Sequence, residues 1–116
     1  MKHLIRKTFL AAAAAAAALA SGAALADVNV GVSLSLTGPG SGLGIPMQNQ
    51  MKLWPATIGG EKVNLLILDD ASDPGKGVSN ARRFVTDDKV DLIIGSCLTT
   101  VAAAMTPVAA DAKTVQ

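Results

Sequence analysis

Four glycines lie within the stretch LTGPGSGLG, directly after an alternating apolar run. Glycine-rich loops that follow strands often bind phosphate through backbone N–H groups. The dinucleotide motif needs glycines at i, i+2 and i+5, but the third position is Leu43, Ile45 or Met47 for the three possible starts. The stretch also lacks the Gly-Lys-Ser/Thr ending of a P-loop. These departures argue against a nucleotide site.

Side chains for catalysis or metal binding are scarce after residue 26. The one histidine, His3, precedes that point, so no Ser-His or Cys-His pair is available beyond it. Asp69 and Asp70 are adjacent at a predicted strand end and point to opposite faces, which makes them a poor acid/base pair. A carboxylate metal site that adds Asp73 is an alternative, but Asp73 is better explained as a helix cap. We therefore predict no enzyme activity, no cofactor and no metal.

The first 26 residues have the three parts of a secretory signal. A basic head is followed by the apolar run Phe9–Ala20 and by Ala24-Leu25-Ala26, directly before Asp27. A membrane anchor is the alternative, but the run is shorter and richer in alanine than the roughly 20 strongly apolar residues that a span needs. We therefore expect a signal peptide over residues 1–26, cleavage after Ala26, and export to the periplasm.

Charge and cysteine content restrict what residues 27–116 can bind. Removing Lys2, Arg6 and Lys7 leaves seven of the ten basic residues and all nine acidic ones, a formal net charge of −2. That balance argues against a nucleic-acid partner, which needs a clustered basic surface. Cys97 is the one cysteine, so no internal disulfide can form. We expect it to be buried as a small apolar residue rather than to be reactive.

Three predicted strands supply the frame for these residues. The stretch VNVGVSLSL (28–36) alternates apolar and small residues, which predicts a strand with close packing on the small-residue face. The runs VNLLILDD (63–70) and VDLIIGS (90–96) are nearly continuously apolar, as in parallel strands covered on both faces. The stretch ATIGG (56–60) is interpreted as the segment by which the chain leaves the preceding helix.

Helical patterns follow each of these strands. The first covers IPMQNQMKLW and ends at Pro55, and the second begins at the cap pair Asp73 and Pro74. The third opens on Thr99 and Thr100 as cap candidates, and Pro107 is expected to kink or split it. Alternating strands and helices predict an α/β fold with an open parallel sheet and flanking helices.

The loops beyond the carboxyl ends of the strands are where open α/β sheets bind ligands. Two such loops are predicted, Thr37–Gly44 and Gly95–Thr100, and each leads into a helix. Helix N-termini carry free N–H groups and a partial positive charge, which suit a carboxylate. Threonine hydroxyls add hydrogen bonds, and glycines let the backbone approach a small ligand. The alternative is that both loops are ordinary turns with helix caps.

The motifs VGVSLSLTGPGSGLG, LDDASDP, ARRFV and VDLIIGSCLTT…MTPVA follow the signal in a characteristic order and spacing. The set resembles the periplasmic solute-binding proteins of branched-chain amino acid type ABC importers, the leucine-binding protein family. The resemblance implies a type I periplasmic binding protein with two α/β lobes and a hinge, in which ligand closes the cleft between the lobes. Residues 27–116 would be the first part of the N-terminal lobe. We therefore expect a fragment that does not bind ligand alone.

The resemblance also implies a function and a set of ligand-binding residues. Such proteins capture a small polar organic ligand, such as a branched-chain amino acid or a related carboxylate or amide, and deliver it to a membrane permease. Leu43 takes the place of an aromatic residue that packs on the ligand, and Thr99 takes the place of a serine that holds it. Thr100, Ser41 and Leu98 complete the predicted set. A ligand-sensing domain of the same fold is the alternative function.

Two departures from the family pattern accompany this resemblance. Some members have a disulfide between the positions of Ser72 and Leu98, and both cysteines are absent here. The aromatic residue is also replaced, by Leu43. The second departure weakens leucine as the expected ligand.

Overall fold

The computed structural model describes residues 27–116, so the predicted signal peptide lies outside the described residues. The elements of the described part, in chain order, are β1 (Val28–Leu34), α1 (Ser41–Met51), β2 (Thr57–Ile58), β3 (Glu61–Asp69), α2 (Pro74–Thr86), β4 (Leu92–Ile94) and α3 (Thr99–Asp111). The sheet order is β2-β3-β1-β4, and β1 pairs in parallel with both β3 and β4. The predicted α/β fold with an open sheet and flanking helices is confirmed.

The sheet is not purely parallel, which corrects the interpretation of ATIGG. The short strand β2 pairs antiparallel with β3, so that Thr57 lies opposite Lys62. Gly59 and Gly60 connect the two strands with φ angles of 63° and 91°. Positive φ at both central residues is what a two-residue hairpin turn of type I′ requires, and glycine adopts it without steric cost. The Gly-Gly pair was therefore a hairpin signal.

Strand β1 is central and buried on both faces. Val30, Val32 and Leu34 point to one face and form a buried cluster with Met51 of α1. On the other face, a Cβ added at Gly31 would lie 2.6 Å from Cγ of Phe84, which is completely buried. The expected close packing on the small-residue face is therefore present, because the missing side chain at this glycine admits the ring.

Helices α2 and α3 pack together on the face of the sheet that receives Phe84. The Asp73 carboxylate accepts a hydrogen bond from the backbone N–H of Lys76 at 2.8 Å, and Pro74 follows as the first helical residue. This confirms the predicted cap. A Cβ at Gly77 would lie 2.5 Å from Cγ1 of Val101, so this glycine lets the two helices approach closely.

Three details of the helices differ from the predictions. Helix α1 begins at Ser41, so Pro46 lies inside it rather than near its start. Helix α3 starts after the N-cap residue Leu98, and neither threonine forms the predicted cap. The helix also continues through Pro107 without a break. The physical reason is burial, because Val101, Met105 and Ala109 bury one stripe of α3 on both sides of the proline.

The sheet continues beyond β4. Val115 forms an isolated parallel bridge with Leu92, and the backbone N–H of Ile93 donates to the Val115 carbonyl at 2.8 Å. Among residues 27–116, no helix combines the length and the apolar character that crossing a membrane requires.

Candidate functional site

Two neighbouring loops leave the carboxyl edge of the sheet, as predicted. The first lip, Leu36–Gly44, follows β1 and includes the first turn of α1. The second lip, Gly95–Thr100, follows β4 and includes the start of α3. Because β1 and β4 are adjacent in the sheet, the two lips lie side by side.

The lips touch at a glycine. A Cβ added at Gly40 would lie 2.9 Å from Cδ1 of Leu98 and 3.0 Å from Oγ of Ser72. The backbone N–H of Gly40 donates to Ser72 Oγ at 2.9 Å, and this hydroxyl donates to the Thr37 carbonyl at 3.0 Å. Ser72 and Leu98, the positions for which the resemblance implies a disulfide in some members, therefore both lie next to Gly40. Here Gly40 is hydrogen-bonded to Ser72, and Leu98 Cδ1 lies beside the same glycine.

An open groove of about 540 Å³ lies between helix α1 and the second lip. Its lining residues are Gly42, Leu43, Pro46, Met47, Gln50 and Cys97. Five of them form one stripe along α1, and Cys97 faces them from the second lip. Leu43 is 57% exposed and nothing lies within 4 Å of a Cβ at Gly42, so both present free surface to a ligand. The walls are apolar apart from the amide of Gln50.

The structure separates the predicted ligand residues into four groups. Leu43 lines the groove, whereas Leu98 is partly buried against the first lip. Ser41 is half-buried at the start of α1. Thr99 and Thr100 are exposed in the first turn of α3, and none of the hydrogen bonds formed within residues 27–116 uses their hydroxyls. At the start of α3 the backbone N–H groups of Leu98 and Val101 bond Ser96 Oγ and the Leu98 carbonyl, which leaves those of Thr99 and Thr100.

Sequence reasoning missed most of the groove. Cys97 was expected to be buried, but it is partly exposed and lines the groove. Pro46, Met47 and Gln50 were treated only as parts of a helix. A signal was present, because Leu43, Met47 and Gln50 lie at helical spacing directly after the glycine loop. Only the position of the second lip shows that this stripe faces a neighbour.

The carboxylate of Asp69 anchors the first lip. Its Oδ1 accepts backbone N–H groups from Leu36 at 2.9 Å, Thr37 at 3.2 Å and Ala71 at 2.8 Å, and its Oδ2 accepts the Thr37 hydroxyl at 2.6 Å. Burial acts to raise the pKa of Asp69, but the hydrogen bonds from Thr37, Ala71 and Leu36 together outweigh it, so the pKa lies below its ordinary value.

The first lip is also shaped by Gly38, whose φ of 77° is in the left-handed region that favours glycine. A Cβ there would lie 2.6 Å from the Ala71 carbonyl oxygen.

The carboxylates of Asp69 and Asp70 are occupied by separate sets of hydrogen-bond donors. Among the residues described, no group of three metal-ligating side chains is present, which gives the alternative of a metal site no support.

Comparisons with known proteins identify the family to which this fold belongs. Residues 27–115 match the family described as periplasmic binding protein. An extracellular ligand-binding receptor from Rhodopseudomonas palustris HaA2 is 45% identical, with a TM-score of 0.74 over 77% of this chain and 25% of that chain. A search of curated proteins gave no match.

Two further solved structures are similar. A leucine-binding protein from Thermotoga maritima MSB8 is 31% identical, with a TM-score of 0.67 over 74% of this chain and 25% of that chain. The other is a solute-binding protein of an ABC transporter from Rhodopseudomonas palustris BisB5, in complex with 3,4-dihydroxybenzoic acid. It is 29% identical, with a TM-score of 0.71 over 76% of this chain and 25% of that chain. The present chain thus spans about a quarter of the length of these relatives, and it belongs to the periplasmic binding protein family.

Proposed function

We propose that this chain contributes the ligand-facing edge of the N-terminal lobe in the substrate-binding component of an ABC importer. Its family consists of binding proteins rather than enzymes, in agreement with the prediction of no enzyme activity. The relatives include a solute-binding protein of an ABC transporter and a leucine-binding protein. The partners would be a small organic ligand and a membrane permease, and the location would be the periplasm.

The observation that carries this proposal is an apolar groove bordered by the second lip, in which Thr99 and Thr100 follow the groove-lining Cys97 in the chain. Leu43, Met47 and Cys97 offer apolar walls, whereas Thr99 and Thr100 offer hydroxyls that have no partner among residues 27–116. An apolar pocket with a few convergent polar groups is typical of small-molecule sites. A ligand with an apolar body and a carboxylate or amide matches both parts, as a branched-chain amino acid does.

The proposed mechanism is non-covalent capture. The ligand's carboxylate accepts hydrogen bonds from Thr99, Thr100 and the free N–H groups at the start of α3, where the helix dipole favours negative charge. Its apolar body packs on Leu43. A second lobe then closes over the ligand and removes water, which strengthens these hydrogen bonds because they no longer exchange with solvent.

A grafted receptor tests this function. Residues 27–115 replace the matching segment of the Rhodopseudomonas palustris HaA2 receptor, so that a complete two-lobed protein carries these lips. Thermal shifts are measured with leucine, isoleucine, benzoate, 3,4-dihydroxybenzoate and urea, with glucose as a control and the unmodified receptor in parallel. We expect stabilisation by at least one carboxylate or amide and none by glucose. Stabilisation by glucose alone would contradict the proposed ligand class.

Location is tested separately with the natural chain. After expression in a Gram-negative host, mass spectrometry of the periplasmic fraction is expected to show a chain that begins at Asp27. A chain that keeps Met1 and sediments with membranes would contradict export through a cleaved signal.

A further inference from the structure

Both lips rest on the carboxyl end of the central strand: the second lip on Ser33 within β1, and the first on Ser35, just beyond it. A Cβ added at Gly44 in the first lip would overlap the Ser35 carbonyl oxygen, and a Cβ at Gly95 in the second lip would overlap the Ser33 carbonyl oxygen. Gly40 of the first lip also approaches Ser35, with 3.0 Å between its added Cβ and Cβ of the serine. The positions of the two lips therefore depend on where Ser33 and Ser35 lie.

One buried carboxylate holds both serines. Oδ2 of Asp70 accepts the Ser33 hydroxyl at 3.1 Å, and Oδ1 accepts the Ser35 hydroxyl at 2.6 Å. Oδ1 also accepts the backbone N–H of Ser72 at 2.9 Å. Asp70, Ser33 and Ser35 are all completely buried. Each oxygen of this carboxylate thus binds a serine that supports a different lip.

The burial of this carboxylate is costly in itself. A buried charge is tolerated when it is paired or fully hydrogen-bonded, and neither of the two ion pairs within residues 27–116 involves Asp70. Two hydroxyl donors and one backbone N–H take the place of a cation. An apolar residue at this position would avoid the desolvation cost, but it would leave the serines without a common partner.

We propose that Asp70 is a positioning residue that couples the two lips, a role that rests on the proposed function because those lips border the ligand groove. It does not line the groove. It acts through Ser35 on the first lip and through Ser33 on the second. Asp69 provides the natural contrast, since its carboxylate bonds Leu36 and Thr37 of the first lip and the neighbouring Ala71, but no residue of the second lip.

The coupling is measured on the 116-residue chain without any ligand. Failure of this inference is therefore distinguishable from failure of the proposed function. Cys97, the one cysteine of the chain, reports the second lip through its rate of alkylation by iodoacetamide. Hydrogen exchange at the N–H groups of Gly40 and Gly44, which donate to Ser72 Oγ and the Gly40 carbonyl, reports the first lip. Urea unfolding of each variant separates local opening from global destabilisation.

We expect Asp70→Ala to raise both the alkylation rate and the exchange rates by about 5–30-fold, beyond what its global stability accounts for. Asp69→Asn should raise exchange in the first lip and leave Cys97 alkylation unchanged. The milder variants test the two halves of the network even where Asp70→Ala does not fold. Ser33→Ala should mainly affect Cys97, and Ser35→Ala should mainly affect Gly40 and Gly44.

Two outcomes would overturn the inference. One is that the Ser33→Ala and Ser35→Ala variants change both reporters only in proportion to the loss of global stability. That result would make the network an ordinary part of the core. The other is that Asp69→Asn perturbs Cys97 as strongly as Asp70→Ala does, because the carboxylate of Asp69 has no bond to the support of the second lip.

Discussion

The two lips of the groove are built on different principles. In the first lip, Asp69 and Ser72 satisfy backbone and side-chain donors from Leu36 to Gly40 through hydrogen bonds of 2.6–3.2 Å. The second lip has fewer such ties. The backbone N–H of Leu98 donates to Ser96 Oγ at 3.3 Å, and the Gly95 carbonyl accepts the Gln116 amide at 3.1 Å.

This difference indicates that the two lips have different roles. The donors of Leu36, Thr37 and Gly40 in the first lip are used internally, and under the proposed function this lip would contribute shape and the apolar contact of Leu43. The hydroxyls of Thr99 and Thr100 in the second lip form no hydrogen bond within residues 27–116, and under the proposed function they would donate hydrogen bonds to the ligand. A preformed wall reduces the entropy lost on binding, and free hydroxyls supply specificity.

The largest expected change in stability comes from a steric overlap between the first lip and Ser35, on which it rests. Gly44→Ala should destabilise the grafted receptor by about 2–3 kcal/mol, because the new Cβ overlaps the Ser35 carbonyl oxygen. Gly42→Ala is the matched control in the same helix. Nothing lies within 4 Å of its added Cβ, and alanine should stabilise the helix by about 0.5–1 kcal/mol. Urea unfolding measures both, and equal effects would contradict a tightly seated first lip.

The next effect separates binding from stability. Thr99→Val should weaken ligand binding by the grafted receptor by about 1–3 kcal/mol, because a ligand oxygen loses its donor, whereas the free energy of unfolding should stay nearly unchanged. Thr37→Val should do the reverse, since its hydroxyl bonds Asp69 rather than a ligand. Calorimetry and urea unfolding measure the two quantities. Unchanged affinity in Thr99→Val would remove Thr99 from the site.

A smaller effect concerns pH. The lowered pKa of Asp69 means that its contribution to stability is complete above the unfolded-state pKa and is lost as the pH falls through the folded-state pKa. Asp69→Asn should therefore cost about 1 kcal/mol near neutral pH, and the difference from wild type should shrink below about pH 4. Asp73→Asn is the control, because asparagine also caps helices. A pH-independent difference would contradict an ionic anchor in the first lip.

The smallest effect tests whether the second lip also contributes an apolar wall. Cys97→Ala removes one sulfur atom from the groove and should weaken ligand binding by at most about 0.8 kcal/mol. The unfolding midpoint should change little, since the side chain is partly exposed. Isothermal titration of the grafted receptor measures the affinity. A loss as large as that of Thr99→Val would mean that both lips bind the ligand through packing.

Local chemistry made several elements predictable. The cap at Asp73 and the strand alternation around Gly31 depend on residues close in sequence, and both were confirmed. Strand β2 was missed because the Gly59-Gly60 turn was interpreted as a helix exit. Of the two alternatives predicted at Pro107, a kink or a split, the split was wrong because burial of Met105 and Ala109 maintains the helix on both sides of it. Tertiary packing overrode a local preference there.

The sequence alone determined the alternation of strands and helices, and with it the edge of the sheet at which ligand loops lie. Hydrophobic periodicity and turn residues suffice for that, because they act over a few neighbouring positions. Only the tertiary structure brought Cys97 opposite Leu43 and placed the Asp70 carboxylate between Ser33 and Ser35. Those pairs are separated by 35 or more residues, and their meeting depends on strand order and register, which no local pattern specifies.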